Sequence, residues 1–193
     1  MADHSAFVPS AAAEFQRVAA SLTPDDLTVR TPCEAFDVRG LVNHLLYWGP
    51  WLLAAGRREE PPAVTGGETD VDLVTGDWAA ALENQTSTLV DVFSASAAWT
   101  GMTSLGRTEL PSSVVGEMVL GEFVLHGWDL ARAAGRDFAC AAEIAAAVHA
   151  GAVAMGEQAR EMKVYGPEVA VPESAPMLDR ALGATGRDPS WRP

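Results

Sequence analysis

Residues 112–135, SSVVGEMVLGEFVLHGWDLARAAG, decide how this chain is read. At helical period Val115, Met118, Val119, Glu122, His126, Asp129, Leu130 and Ala133 fall along one stripe, an apolar face broken midway by three side chains that bind protons or metals. A carboxylate on the core side of a helix is costly unless it is paired, hydrogen-bonded or metal-bound. Glu122 precedes His126 by one turn, so both side chains can address one point. E-x-x-x-H in such a setting is a candidate half of a metal site, and His44, on a separate helix, is the candidate third ligand. The competing structural reading makes Glu122 and His126 an ordinary hydrogen-bonded pair and His44 a semi-buried histidine with a backbone partner. Asp129 lies nearly two turns beyond Glu122, and its shorter side chain is expected to accept a bond from a ligand, or from the N-terminus of the helix that carries His44, rather than to ligate.

Working outward, the same helix should open at Ser112 or Ser113 and stop at Gly135, with Arg132 in its last turn. Upstream, Asp37 is the expected N-cap of a helix VRGLVNHLLYWGPWLLAAG, in which His44 borders the apolar stripe and Pro50 should introduce a kink. Before it, the spacing of Phe7, Phe15, Val18 and Leu22 predicts a first helix over 5–22, followed by a connector rich in Pro and Asp. Residues 57–75 read as a charged, Pro- and Gly-containing loop and the most mobile segment. A third helix is expected over 77–96, with Trp78, Ala81, Leu82, Leu89 and Phe93 inward, and then an irregular or extended crossover through Pro111. An alanine-rich helix over 140–160 follows, and the tail holds a short helix over 176–184 and a turn at GRDPSW. No strand convincing enough to build a sheet emerges. The expected architecture is all-α: a helical bundle with crossover connections over residues 1–162 and a short helical tail over 163–193.

Composition narrows the function. Thirteen basic against 26 acidic residues give a formal net charge of −13, which disfavours nucleic acid and anionic membrane surfaces as partners. No run of 18 uncharged apolar residues and no signal-like N-terminus is seen, so a cytoplasmic protein is expected. Cys33 and Cys140 fit no C-x-x-C pattern and are expected as reduced thiols, Cys33 in buried packing. Arg39 should pair with a nearby carboxylate or, as the alternative, bind an anion at the site mouth; Trp48 and Trp51 should be core or pocket wall, and His4 and His149 are given no site role. An apolar face on the first or the alanine-rich helix could serve a homodimer, although no heptad code demands one.

Three ordered stretches carry a family resemblance. TPCEAFDVRGLVNHLLYW (31–48) is similar to the T-P-C-x-x-W-x-V-R-D-L-x-x-H-L signature of the DinB-like metal-binding superfamily, in its branch related to mycothiol-dependent maleylpyruvate isomerase. GEFVLHGWDLARAAGRD (121–137) and LDRALGATGRDPSW (178–191) look like two further signatures of that branch. Phe36 stands where the family usually has Trp, and Gly40 where it usually has Asp. The resemblance implies a four-helix bundle and a divalent metal, zinc or nickel, held by His44, Glu122 and His126. It further implies a low-molecular-weight thiol such as mycothiol, used in transfer or isomerisation on a small electrophilic substrate. The isomerase carries an added α/β domain, for which the roughly 30 residues after the alanine-rich helix are too few, so the resemblance is to its N-terminal metal-binding domain. Two imidazoles and a carboxylate suit Zn²⁺ or Ni²⁺ and leave a coordination position open. Hydrolysis by an activated water would use the same residues, and a non-catalytic metal- or ligand-binding module is the third reading.

Overall fold

The computed structural model describes residues 2–63 and 66–193, and in it the expected helices form around one long central helix. Helix α1 (Val8–Ala19) begins after a 3₁₀ turn at Ser5–Phe7, with Pro9 in its first turn, where the missing N–H costs nothing. Helix α2 (Val38–Arg57) is capped as expected: Asp37 Oδ1 accepts from the Gly40 amide at 2.7 Å. It runs on through Pro50 and ends on Arg58, whose φ of +56° is left-handed. Beside Pro50, the Gln85 side chain from the neighbouring helix donates to the Leu45 carbonyl at 2.7 Å, a reach that only Gly49 allows, because a Cβ there would overlap the amide. Helix α3 (Trp78–Phe93) opens on Asp77, which accepts from Ala80 N, and buries Leu82, Thr86, Leu89 and Phe93. Trp78 is half-buried, whereas Ala81, expected inward, is exposed.

Residues 66–74 are not the free loop that composition suggested. Asn43 of α2 donates to the carbonyls of Glu68 and Val71 at 3.2 Å each and accepts from Leu73 N at 2.7 Å. Arg39 reaches Asp72 at 2.7 Å and the Val74 carbonyl at 2.9 Å, and Val74 is buried. Charge and glycine content mark a segment without regular structure; they do not say whether side chains from a nearby helix tie it down.

A second correction is the β-hairpin of β1 (Met102–Leu105) and β2 (Thr108–Pro111), where no strand was expected. Four-residue strands are too short to show a period of two, and the readable signal was the two-residue Gly106-Arg107 connection, with Gly106 at φ +62°. The hairpin sits on α2, where Thr103 Oγ1 donates to the Ala55 carbonyl at 2.6 Å.

The stretch 112–133 is the central helix, and it is not uniform. Helix α4 (Ser112–Gly121) and helix α5 (Gly127–Ala133) are joined by a π-helical turn over Glu122–His126. Helix α6 (Ala142–Glu161) packs on α4 and on the short helix α7 (Met177–Ala184), while α1 packs on α3 and α5 and α2 on α3 and α4. With neighbours on several sides, α4 and α5 are buried nearly all round, and Met118, expected on the core stripe, is instead exposed facing α6. Trp99 packs against Gly116: a Cβ there would fall 2.6 Å from the indole ring, which is buried and held by its Nε1 donating to Phe93 O at 2.8 Å. Gly116→Ala is therefore expected to destabilise the protein by about 1–3 kcal/mol through overpacking, outweighing the gain in helix propensity. An unchanged urea midpoint would contradict this packing.

Candidate metal centre

The π turn presents Glu122 and His126 toward α2, from which His44 enters. His44 Nε2 and His126 Nε2 each lie 3.7 Å from Glu122 Oε2, and the three ligand atoms all fall within 4.8 Å of one another. The imidazole rings meet edge to face, with centroids 5.2 Å apart. A separation of 3.7 Å is too long for a hydrogen bond. It is close to the ~3.4 Å between two ligand atoms bound at ~2.1 Å to one tetrahedral ion.

Each imidazole is held from behind. His44 Nδ1 lies 3.0 Å from Glu68 Oε1, and Trp48 Nε1 donates to Glu68 Oε2 at 2.9 Å. His126 Nδ1 lies 2.9 Å from Asp129 Oδ2. Carboxylates only accept, so these partners assign the ring protons to Nδ1 and leave both Nε2 lone pairs facing Glu122. Asp129 is 0% exposed and is itself bound by Arg187, 5% exposed, through Nε (2.9 and 3.1 Å) and Nη2 (2.8 Å). Arg187 Nη1 also donates to Thr185 Oγ1 at 3.1 Å.

The electrostatics follow from this geometry. Burial acts to raise the Asp129 carboxyl, but Arg187 and His126 outweigh it and hold it below the usual carboxylate range. Burial likewise opposes ionisation of Glu122, and the His126, His44 and Arg187 charges overcome it to hold that carboxyl low. Burial alone would lower His44; Glu122 and Glu68 reverse it and raise the imidazole above its ordinary value. Glu122 Oε2 is buried and accepts no hydrogen bond among the described residues. An ionised oxygen in that state, faced by two imidazole lone pairs, is the donor set that a divalent cation completes.

The residues singled out from sequence are thus brought together: His44, Glu122 and His126 converge, and Asp129 supports His126 from behind. Two supporting residues were missed. Glu68 stands in a segment read as loop and gives no local signal. Arg187 stands in GRDPSW, where the sequence suggests only a turn. Cys33 Sγ also comes within 4.8 Å of His126 and Asp129 atoms, but Asp129 is engaged with His126 and Arg187, and burial pushes the Cys33 thiol up and keeps it protonated. Cys140, also a free thiol, is pushed up to about 11 by burial. Arg39 pairs with Asp72, Trp51 packs near Trp48, His4 stacks on Phe7, and His149 is partly exposed on α6, away from the centre.

Beside the centre lies a cavity of about 160 Å³ between α4 and α6, with Glu122 and His126 in its wall. Leu125, Val148, Ala152 and Met155 line its body, and Tyr165 and Arg187 bring the tail into it. Among the described residues no helix is long and apolar enough to cross a membrane.

No curated protein and no solved structure matches the chain. A family model described as the mycothiol maleylpyruvate isomerase N-terminal domain matches residues 8–131, a span that includes His44, Glu68, Glu122, His126 and Asp129 but not α6 or Arg187. Covering more than half the chain, and agreeing with its mostly helical structure, that match means the protein belongs to the mycothiol maleylpyruvate isomerase N-terminal domain family.

Proposed function

We propose that this protein is a metal-dependent enzyme in which His44, Glu122 and His126 hold a zinc or nickel ion and a low-molecular-weight thiol of the mycothiol kind reacts with a small electrophile. The observation that carries the reading is the buried, unpartnered Glu122 Oε2 with the Nε2 atoms of two histidines 3.7 Å away. Family membership supports the thiol. We read α1, α2, α3 and the α4–α5 helix as the four helices of a DinB-like bundle within residues 1–162, with 163–193 as a tail packed on it.

Held by His44, Glu122 and His126, a divalent ion would lower the pKa of a thiol or water bound to it. The chain's own residues prepare that site. Glu68 takes the Nδ1 proton of His44 in a hydrogen bond and fixes its ring, and Asp129 does the same for His126. Arg187 keeps Asp129 ionised, so that it remains an acceptor. The apolar walls of the adjoining cavity keep water from surrounding a bound small molecule.

The test is elemental analysis of freshly purified protein, followed by calorimetric titration with mycothiol. Near-stoichiometric zinc or nickel, lost in His44→Ala, and thiol uptake by the loaded protein alone are expected. Absence of metal after metal-replete expression would overturn the reading, and metal without thiol uptake would move it to hydrolysis. Glu68→Ala, at a partly exposed position, is expected to weaken metal binding by about 10–100-fold while leaving the melting of the metal-free protein nearly unchanged, as measured by competition with a chelating dye.

A further inference from the structure

We infer that the cavity between α4 and α6 receives the uncharged, apolar body of a small molecule about the size of one substituted six-membered ring, and that it disfavours a carboxylate in that place. The inference deepens the reading above, since it takes Glu122 and His126 as the reactive end of the same site. Size comes first. A cavity of about 160 Å³ matches the ~150 Å³ at which an apolar protein cavity accommodates benzene.

The lining comes second. Apart from Glu122, His126 and Arg187 at the centre, the wall is mainly aliphatic, sulfur-containing and alanine side chains. Met118, Met162 and Val164 at its edge are 37%, 65% and 64% exposed. Methionines at a mouth repack around differently shaped apolar groups.

Charge decides the rest. Among the described lining residues Arg187 is the one cation, and each of its three nitrogens already donates, to Asp129 through Nε and Nη2 and to Thr185 through Nη1. Two carboxylates line the same space. Glu122 is at the centre, and Glu117 sits half-buried beside α6, where a Cβ on Gly151 would come within 3.4 Å of its Oε2. Glu117 makes no ion pair among the described residues, and burial pushes its carboxyl up. Apart from an ion held by His44, Glu122 and His126, a carboxylate in the body of the cavity would therefore meet acidic side chains and no cationic side chain free to pair with it.

The experiment uses metal-stripped full-length protein and two ligands of nearly equal shape, neutral acetophenone and anionic benzoate, titrated by ¹H–¹⁵N NMR. Acetophenone is expected to shift the amides of Val148, Gly151 and Ala152 and to bind about tenfold or more tighter than benzoate. Met155→Trp, which fills the cavity, should abolish that binding, and Glu117→Gln should narrow the gap between the two ligands. Should Met155→Trp fail to fold, Met118→Trp at the exposed mouth serves the same purpose. Benzoate binding as tightly as acetophenone, no binding of either, or binding untouched by the filling variant would each overturn the inference. Because no metal is present, the ligand preference and metal retention are read separately, and either can fail while the other stands.

Discussion

Replacing Arg187 by alanine is expected to destabilise the protein by about 3–5 kcal/mol, the usual cost of removing one partner from a buried ion pair. Asp129, with no exposed surface, would lose its Nε and Nη2 donors and keep only His126. Nor would the damage stop at stability. Without the guanidinium, the carboxyl of Asp129 would rise toward neutrality, and His126 would lose the acceptor that fixes its ring. Urea unfolding of the metal-free protein measures the first effect and chelator competition the second. An Asp129→Leu/Arg187→Met double variant, which leaves no orphaned charge, should recover much of the stability but none of the lost metal affinity. A single Arg187→Ala variant as stable as the parent would show that the pair does not hold the tail to α5.

Changing Glu122 to glutamine should separate function from stability in opposite directions. Loss of the carboxylate is expected to weaken zinc or nickel binding by more than the about 10–100-fold that loss of an outer partner costs. In metal-free protein the effect on folding depends on pH. The His44 imidazole is raised above its ordinary value of about 6.5 by Glu122 and Glu68. A folded-state value above the unfolded one means that this stabilisation is fully present below pH 6.5 and is lost as pH rises through the folded value. Above that range the parent protein keeps a buried, ionised oxygen with no hydrogen-bond partner among the described residues. Glu122→Gln relieves it and should make the metal-free protein more stable by about 1–3 kcal/mol at alkaline pH, while below pH 6.5 the parent regains the advantage. Stability curves that run parallel across this range would refute the coupling of His44 to Glu122.

Several elements are legible in the sequence. Asp37 and Asp77 marked the starts of α2 and α3 because a cap acts on amides two or three residues on, and Gly135 marked the end of α5 because the chain turns left-handed there. The E-x-x-x-H pair was visible for the same reason, since one turn of helix places both side chains together. The π turn that carries the pair was not visible, because nothing in EFVLH distinguishes it from an ordinary helical turn. The hairpin escaped notice because strands of four residues show no period. Met118 was placed on the core stripe because periodicity shows which residues share a face, but not whether a neighbour covers all of it.

The sequence by itself determined the mostly helical class, the starts of α2 and α3, the end of α5, the placing of Glu122 and His126 one turn apart and, through its motifs, the family. Only the tertiary structure decided that Glu68 would stand behind His44, 24 residues away, and that Arg187 would close on Asp129 from 58 residues downstream. It alone placed an acid-lined apolar cavity between α4 and α6. The reason is range. Helical spacing and capping act over one or two turns, so they can be read from neighbouring letters, whereas a loop or tail residue finds its partner only after the core has packed and fixed where the chain returns.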